Sequence, residues 1–150
     1  MDFKNLKPSV DFNDPATLCT LGGCVLLLLA SFLPVIKQLN QNISLMQGNH
    51  HGILHLILVI AIAALLVFNL QKILSGVMAA EIVWCIWDIR SVVSTVSDDN
   101  KLLKGTSFPK SSMQIGFFLL IIGALALVGA LVLISMKAKK NTQAPAQPMM

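Results

Sequence analysis

Residues 111–136 read SSMQIGFFLLIIGALALVGALVLISM and contain no Asp, Glu, Lys or Arg. A helix built from this stretch is apolar on nearly every face, whereas a helix on the surface of a soluble protein keeps one polar face. About 20 such residues are enough to cross a hydrocarbon core of about 30 Å. The stretch therefore predicts a membrane-spanning helix over residues 113–136.

Two further stretches, residues 15–36 and 38–71, also lack charged side chains. They predict spanning helices over residues 18–36 and 52–70, separated by the polar segment 38–51. The composition agrees, because 55% of the 150 residues are hydrophobic and 12% are charged. That charged fraction is about half the value for a soluble domain. An ordinary soluble fold and intrinsic disorder are both excluded.

A fourth apolar segment, residues 73–96, differs because it contains Glu81, Asp88 and Arg90. Each charge costs about 2.5–3.5 kcal/mol at the centre of a membrane helix. Neighbouring helices can shelter such residues, so we expect this segment to span as well. The predicted fold is an all-α integral membrane bundle of four transmembrane helices. It has antiparallel neighbours and short connections, and it forms one domain over residues 1–136.

The lysines predict the orientation of this bundle. With four spans both termini lie on one side, which carries six lysines against four on the other side. By the positive-inside rule, the N- and C-termini are expected in the cytoplasm. The cluster of Lys137, Lys139 and Lys140 beside the last helix strengthens this assignment. The segment 137–150 is expected to be a basic and then disordered cytoplasmic tail.

The third helix carries a polar stripe. Glu81, Trp84, Asp88, Ser91 and Thr95 recur at spacings of three and four residues, which places them on one face of a helix. One interpretation is a proton or cation relay, or a polar site for a partner helix. The alternative, which we favour, is a buried interhelical hydrogen-bonding stripe in which Asp88 is protonated.

Arg90 lies outside that stripe, about 200° around the helix from Asp88. The two side chains therefore do not form a simple ion pair within the stripe. We expect Arg90 to extend outward to the lipid headgroups. Pairing with Asp98 or Asp99 on the following connection, or with another helix, is the alternative.

Three histidines, His50, His51 and His55, cluster at the start of the second helix. His51 and His55 are four residues apart, so they share a face and offer two ligands to a metal ion such as zinc. Further ligands would come from Asp98 and Asp99 on the other exposed connection. Histidines at an interface without a metal are the simpler interpretation.

The three cysteines, Cys19, Cys24 and Cys85, all fall inside predicted helices. No disulfide framework is implied, and we interpret them as small packing residues. The sequence has no glycine-rich phosphate loop, GxSxG elbow, HExxH motif or dinucleotide fingerprint. We expect no histidine and carboxylate to pair at one membrane depth. The sequence therefore predicts no enzymatic activity and no cofactor.

Residues 22–34, GGCVLLLLASFLP, resemble the first helix of many small bacterial four-helix membrane proteins, in which a glycine-rich helix ends in Ser-Phe-Leu-Pro. Gly52 at the start of the second helix and residues 115–124, IGFFLLIIGA, resemble the corresponding parts of those proteins. Many of them carry Trp after the Pro, where this chain has Val35. The resemblance covers about residues 18–136. It implies a bacterial cytoplasmic (inner) membrane and a bundle fold, and it transfers no active site.

These features favour a non-enzymatic multi-pass membrane protein that acts through helix–helix contacts. It would be an accessory subunit, or an immunity or exclusion factor. The expected partners are the lipid bilayer and other membrane proteins or a second copy of the chain, and no nucleic acid. One alternative is an oligomeric small transporter or channel that uses the stripe of Glu81 and Asp88. A second alternative is a metal-binding membrane protein that uses His50, His51 and His55.

Overall fold

The computed structural model describes residues 8–47 and 51–143. The predicted helical architecture is confirmed in its coarse form, because this part of the chain forms four helices. In chain order the elements are α1 (Pro15–Phe32), β1 (Pro34–Gln38), β2 (Gln41–Ser44), α2 (His51–Val67), α3 (Gln71–Leu102), β3 (Ser112–Met113) and α4 (Ile115–Thr142).

Two of the described helices, α1 and α4, are long and apolar enough to cross a membrane. The mean hydropathy of their most apolar windows is 1.9 and 3.0. The helix α2 is equally apolar in character but has 17 residues. The helix α3 differs from the other three because charged residues, Glu81, Asp88 and Arg90, lie in its middle; the lysines of α4 lie at its C-terminal end.

The ends of the helices differ from the predicted ones. The first helix was expected to reach residue 36, but it ends at Phe32. Pro34 has no N–H to donate to a helix, and it forces the preceding Leu33 into an extended conformation, with φ −77° and ψ 152°. The second helix ends at Val67 instead of residue 70, before Asn69 takes a left-handed φ of 54°.

The last two helices run further than predicted. The helix α3 continues past residue 96 to Leu102, so the first six of the 16 residues expected in the connection, 97–112, are helical. The helix α4 continues through the basic cluster to Thr142, so the expected tail begins as a helix. Lys139 and Lys140 lie in its last turn, where cations interact favourably with the helix dipole. Residues 144–150 lie outside the described part of the chain.

The all-α prediction was wrong in one respect, because a small antiparallel sheet of order β2-β1-β3 lies at one end of the helices. Leu39 and Asn40 connect β1 to β2 with φ of 46° and 65°, as a two-residue type I′ turn requires. On the other edge of β1, Ile36 pairs with Met113 and Lys37 pairs with Ser112. The sheet therefore joins the end of α1 to the start of α4.

Small residues let α1 and α4 pack closely. A Cβ atom on Gly23 would lie 2.9 Å from Cδ2 of Leu127, and one on Gly123 would lie 2.9 Å from Cγ of Leu27. Both leucines are fully buried. The helices α2 and α3 form an antiparallel hairpin around the turn at residues 68–70, and α2 packs on α1 while α3 packs on α4. This arrangement brings the start of α2 and the second half of α3 beneath the sheet.

Candidate metal centre

The site forms where the first two turns of α2 face the middle of α3. His51 and His55 are four residues apart and share one face of α2. Glu81 and Asp88 are seven residues apart, which is about two helical turns, so they share one face of α3. Because the two helices are antiparallel, Asp88 lies nearer the sheet and Glu81 lies deeper in the bundle.

His55 is the centre of the site. Its Nδ1 lies 2.5 Å from Oε1 of Glu81 and its Nε2 lies 2.7 Å from Oδ2 of Asp88. All three side chains are buried. A neutral imidazole has one N–H donor, so hydrogen bonds at both nitrogens need either a doubly protonated ring or a proton on one carboxyl group. The two hydrogen bonds therefore require two protons among these three side chains.

His51 extends this arrangement toward the surface. Its Nδ1 lies 2.6 Å from Oδ1 of Asp88, so the two oxygens of Asp88 contact two different histidines. The side chain of His51 is 28% exposed. Trp84 packs edge-on against the His51 ring, with 5.5 Å between ring centroids and 64° between ring planes. That contact limits the orientations that the imidazole can take.

Cys85 adds a thiol to the buried end of the site. It lies one turn beyond Glu81 on α3, and its Sγ is 3.7 Å from Oε1 of Glu81. One ligand atom from each of His55, Glu81 and Cys85 lies within 4.8 Å of the other two. Nitrogen, oxygen and thiolate sulfur are the donors that Zn²⁺ and similar transition-metal ions take in proteins. These three residues can therefore hold such an ion.

One of the oxygen atoms that could bind a metal at this site lacks a hydrogen-bond partner. Oε2 of Glu81 is buried and has no hydrogen-bond partner in the described structure. A buried carboxylate oxygen without a partner costs free energy, so it needs an explanation. A cation held next to Glu81 would supply the missing interaction.

A cleft connects the site to the sheet end of the molecule. Its volume is about 170 Å³, and its polar walls include His51, Asp88, Ser91 and Thr95. The remaining wall comes from β1, β2 and the residue that follows β2: Val35, Ile36, Gln38, Ile43, Ser44 and Leu45, together with Val92 of α3. The cluster is thus accessible from the sheet end through His51.

The five residues of the predicted stripe take three different positions. Glu81 and Asp88 are buried and contact the histidines of α2. Trp84 is half-buried against His51. Ser91 and Thr95 line the cleft, and Thr95 is exposed. The stripe is therefore continuous from the bundle interior to the cleft.

The predicted partners of the histidines were wrong. The expected additional ligands were Asp98 and Asp99, but Asp98 pairs with Lys101 at 3.1 Å and Asp99 accepts a hydrogen bond from Ser111 Oγ at 3.1 Å. Glu81, Asp88 and Cys85 take the place of those two residues beside His55. His50 lies outside the described residues.

The prediction that no histidine pairs with a carboxylate at one membrane depth was also wrong. The signal that sequence reasoning missed is the position of the turn. His51 and His55 precede Asn69 by 18 and 14 residues, and Asp88 and Glu81 follow it by 19 and 12. Antiparallel helices of equal rise place residues equally distant from the turn side by side.

Arg90 points away from this cluster. It is exposed on the outer side of α3. Within residues 8–47 and 51–143 it forms no ion pair, and Asp98, one of its predicted alternatives, pairs with Lys101.

Comparison with models of protein families, with curated proteins and with solved structures finds no match to this chain. A function for it therefore rests on the geometry of its own residues.

Proposed function

We propose that this chain is a four-span protein of the bacterial cytoplasmic membrane that binds a divalent transition-metal ion at His55, Glu81 and Cys85. The observation that carries the proposal is the convergence of three different donor types in the bundle interior, with ligand atoms within 4.8 Å of one another. Metal binding was the second alternative from the sequence, with His50, His51 and His55 as ligands. The proposal adopts that alternative and replaces two of these histidines by Glu81 and Cys85. The N- and C-termini lie in the cytoplasm and the sheet lies on the outer side.

The distribution of apolar and charged side chains supports four spans. Large apolar side chains face outward on all four helices, among them Val25, Ile57, Ile86 and Leu125. Glu81 and Asp88 face inward instead. This pattern is the reverse of a soluble protein, in which large contiguous apolar surfaces are rare. Contact with lipid explains the outer surface, and contact with the histidines lowers the cost of placing two carboxylates in the membrane.

The position of Asp88 supports a metal at the opposite side of the imidazole. Histidines that bind a metal through one ring nitrogen almost always donate the other N–H to a carboxylate or carbonyl group. With Asp88 at Nε2 of His55, Nδ1 remains directed at Glu81, next to which Cys85 lies. Asp88 thus sets the tautomer and the orientation of the ring.

Without a metal, a hydrogen bond joins His55 Nδ1 to Glu81. A metal ion held here would replace the proton of that hydrogen bond and the thiol proton of Cys85, because the ligand forms are neutral imidazole, carboxylate and thiolate, and both protons would be released to water. An ion of charge +2 then offsets the two negative ligands. With or without the ion, the charges at His55, Glu81 and Cys85 therefore nearly cancel. The remaining charge, on Asp88, is stabilised by the imidazole N–H of His55.

Cobalt binding to the purified full chain in detergent tests the proposal. We expect Co²⁺ to produce a near-ultraviolet thiolate-to-metal charge-transfer band with one equivalent bound. Cys85→Ser should abolish the band because the oxygen of serine does not give this transition. Cys19→Ser is the matched control, since Cys19 lies on α1 outside the cluster, and it should keep the band. No band in the wild-type protein, or an equal band in Cys85→Ser, would contradict the proposal.

A second candidate function, partner binding, is favoured by the outer face of α3. Trp87 is 64% exposed, and it lines a groove of about 390 Å³ with Arg90, Ser91 and Ser94. Because Glu81 contacts a histidine of the same chain, an accessory subunit would contact its partner through this groove instead. Arg90→Ala together with Trp87→Ala should then abolish co-purification of the partner. Unchanged co-purification would exclude the groove as the contact.

A further inference from the structure

We propose that His51 and Asp88 form an outer binding site through which a divalent transition-metal ion passes from the sheet side to the buried centre. The inference rests on the proposed metal centre and adds the route by which the ion reaches it. Under the proposed topology, the ion would enter from the outer side of the membrane. The route follows from three features of the described residues: an open cleft, a bridging carboxylate and a closed opposite end.

The cleft provides the opening. It lies between the sheet and α3, and His51 and Asp88 are the two residues of its wall that can bind a metal. The His51 ring is partly exposed, whereas the Asp88 side chain is 2% exposed. An ion entering the cleft therefore meets an imidazole first and a carboxylate immediately behind it. An imidazole with a carboxylate is a weak two-ligand site, which suits an ion that must leave again.

Asp88 connects the outer and inner positions. Its Oδ1 is 2.6 Å from Nδ1 of His51 and its Oδ2 is 2.7 Å from Nε2 of His55. No other side chain within residues 8–47 and 51–143 hydrogen-bonds to both histidines. An ion bound to His51 and Asp88 is therefore already next to the imidazole that belongs to the buried centre. Moving inward requires a change of ligand at Asp88 and rotation of His55.

The opposite end of the bundle offers no such route. A cavity of about 260 Å³ opens there, and its wall includes Asp14, Asn69, Gln71 and Leu74. Leu74 and Met78 lie on the same face of α3 as Glu81, and both are fully buried. They separate this cavity from the metal centre with apolar side chains. A divalent cation does not cross such a layer without ligands.

The rate of loading tests the route. Co²⁺ is mixed with the metal-free, full-length protein in detergent, and growth of the thiolate charge-transfer band is followed by stopped flow. A cleft lined by charge raises the rate at which a counter-ion enters by about 10–1,000-fold; here Asp88 supplies the charge and His51 holds the ion beside it. We therefore expect His51→Ala to slow loading by about tenfold, the low end of that range. At saturating Co²⁺ the final amplitude should equal that of the wild-type protein, because the buried ligands remain.

Two further variants separate the two ends of the molecule. Ser91→Leu narrows the cleft without removing a ligand, and we expect it to slow loading as well. Gln71→Leu introduces the same side chain, leucine, into the wall of the opposite cavity. This variant should leave the rate of loading unchanged.

Wild-type rates in both His51→Ala and Ser91→Leu would overturn the route while leaving the metal centre intact. Slower loading in Gln71→Leu alone would also overturn it. A wild-type protein that never develops the band would contradict the metal centre itself, and the route with it.

Discussion

Nδ1 of His55 lies 2.5 Å from Oε1 of Glu81, although 26 positions separate the two residues in the chain and both side chains are fully buried. This contact joins α2 to α3 in the interior of the bundle. It also gives a buried carboxylate the partner that a low-dielectric environment demands. A cluster of ionisable side chains therefore lies inside the bundle, while many large apolar side chains, among them Val25 and Leu125, lie on its outer surface.

Removing the imidazole of His55 should destabilise the fold strongly. His55→Ala leaves Glu81 buried without its histidine partner and leaves Asp88 in contact with His51 alone, and breaking a buried charged pair costs about 3–5 kcal/mol. The free energy of unfolding can be measured in mixed detergent micelles. His51→Ala is the control, because Asp88 keeps its contact with His55 and the His51 ring is partly exposed. Equal losses in the two variants would show that His55 has no special role in stability.

Asp88→Asn should weaken the metal centre without removing it. The amide keeps the size of the carboxyl group and its carbonyl oxygen can still accept from Nε2 of His55, but the charge is lost. Loss of such an outer partner lowers metal affinity by about 10–100-fold. Titration with Co²⁺ should therefore show a right-shifted curve that reaches the wild-type band intensity. A curve that overlays the wild-type one would remove Asp88 from the site.

Close packing at the start of α4 should be sensitive to a single methyl group. A Cβ atom on Gly116 would lie 2.7 Å from the carbonyl oxygens of Leu33 and Pro34, which are backbone atoms. Gly116→Ala should therefore destabilise the protein by about 1–3 kcal/mol. Gly129→Ala on the same helix is the control, since nothing lies within 4 Å of its added Cβ. That variant should be neutral or up to about 1 kcal/mol more stable. Equal thermal stability of the two variants would contradict the packing of α1 and β1 on α4.

The pairing of β1 with β3 can be tested by cross-linking. Lys37 and Ser112 are direct partners, and Cα atoms of paired residues in antiparallel strands lie about 4.5–5.5 Å apart, a distance that a disulfide can span. The double variant Lys37→Cys, Ser112→Cys should form a disulfide on mild oxidation. Gln38→Cys with Ser112→Cys should not, because the side chain of the next residue points to the other face of the sheet. Equal cross-linking of the two pairs would argue against this register.

Reporters at the ends of the helices test the four spans. Fusions at Asn40 and Gly105 should report the outer side, and fusions at Asn69 and Thr142 should report the cytoplasm. The decisive comparison is between Asn69 and Gly105, because these two residues flank α3. If both report the same side, α3 does not cross the membrane and the proposed topology is wrong.

Much of the local structure was predictable. The charge-free stretches predicted α1, α2 and α4, and periodicity placed Glu81 and Asp88 on one face of α3, because both properties depend on residues close together in the chain. The strands were missed. β3 has only two residues. It is stabilised by pairing with β1, and it is too short to show the alternation of apolar and polar residues that identifies a strand. The end of α1 was misplaced because the apolar run continues past Pro34 into β1.

The site itself was predictable only in parts. The histidines were candidate metal ligands only in an alternative interpretation, and the carboxylates were placed in a stripe, so the two groups were assigned to separate features. Cys85 was interpreted as a packing residue, although it lies one turn from Glu81 on the same face of α3. Their meeting depends on how α2 and α3 align in the hairpin, and a residue's own helical face carries no information about the face opposite it.

The sequence by itself determined that the chain forms apolar helices with charges confined mainly to one of them, since hydropathy and helical periodicity are properties of neighbouring residues. Only the tertiary structure decided that His51 and His55 meet Asp88, that Glu81 and Cys85 lie beside His55, and that a sheet covers this end. These contacts join residues far apart in the chain. Their formation depends on the turn at residues 68–70 and on the packing of α1 against α4, which together set the depth at which each side chain lies.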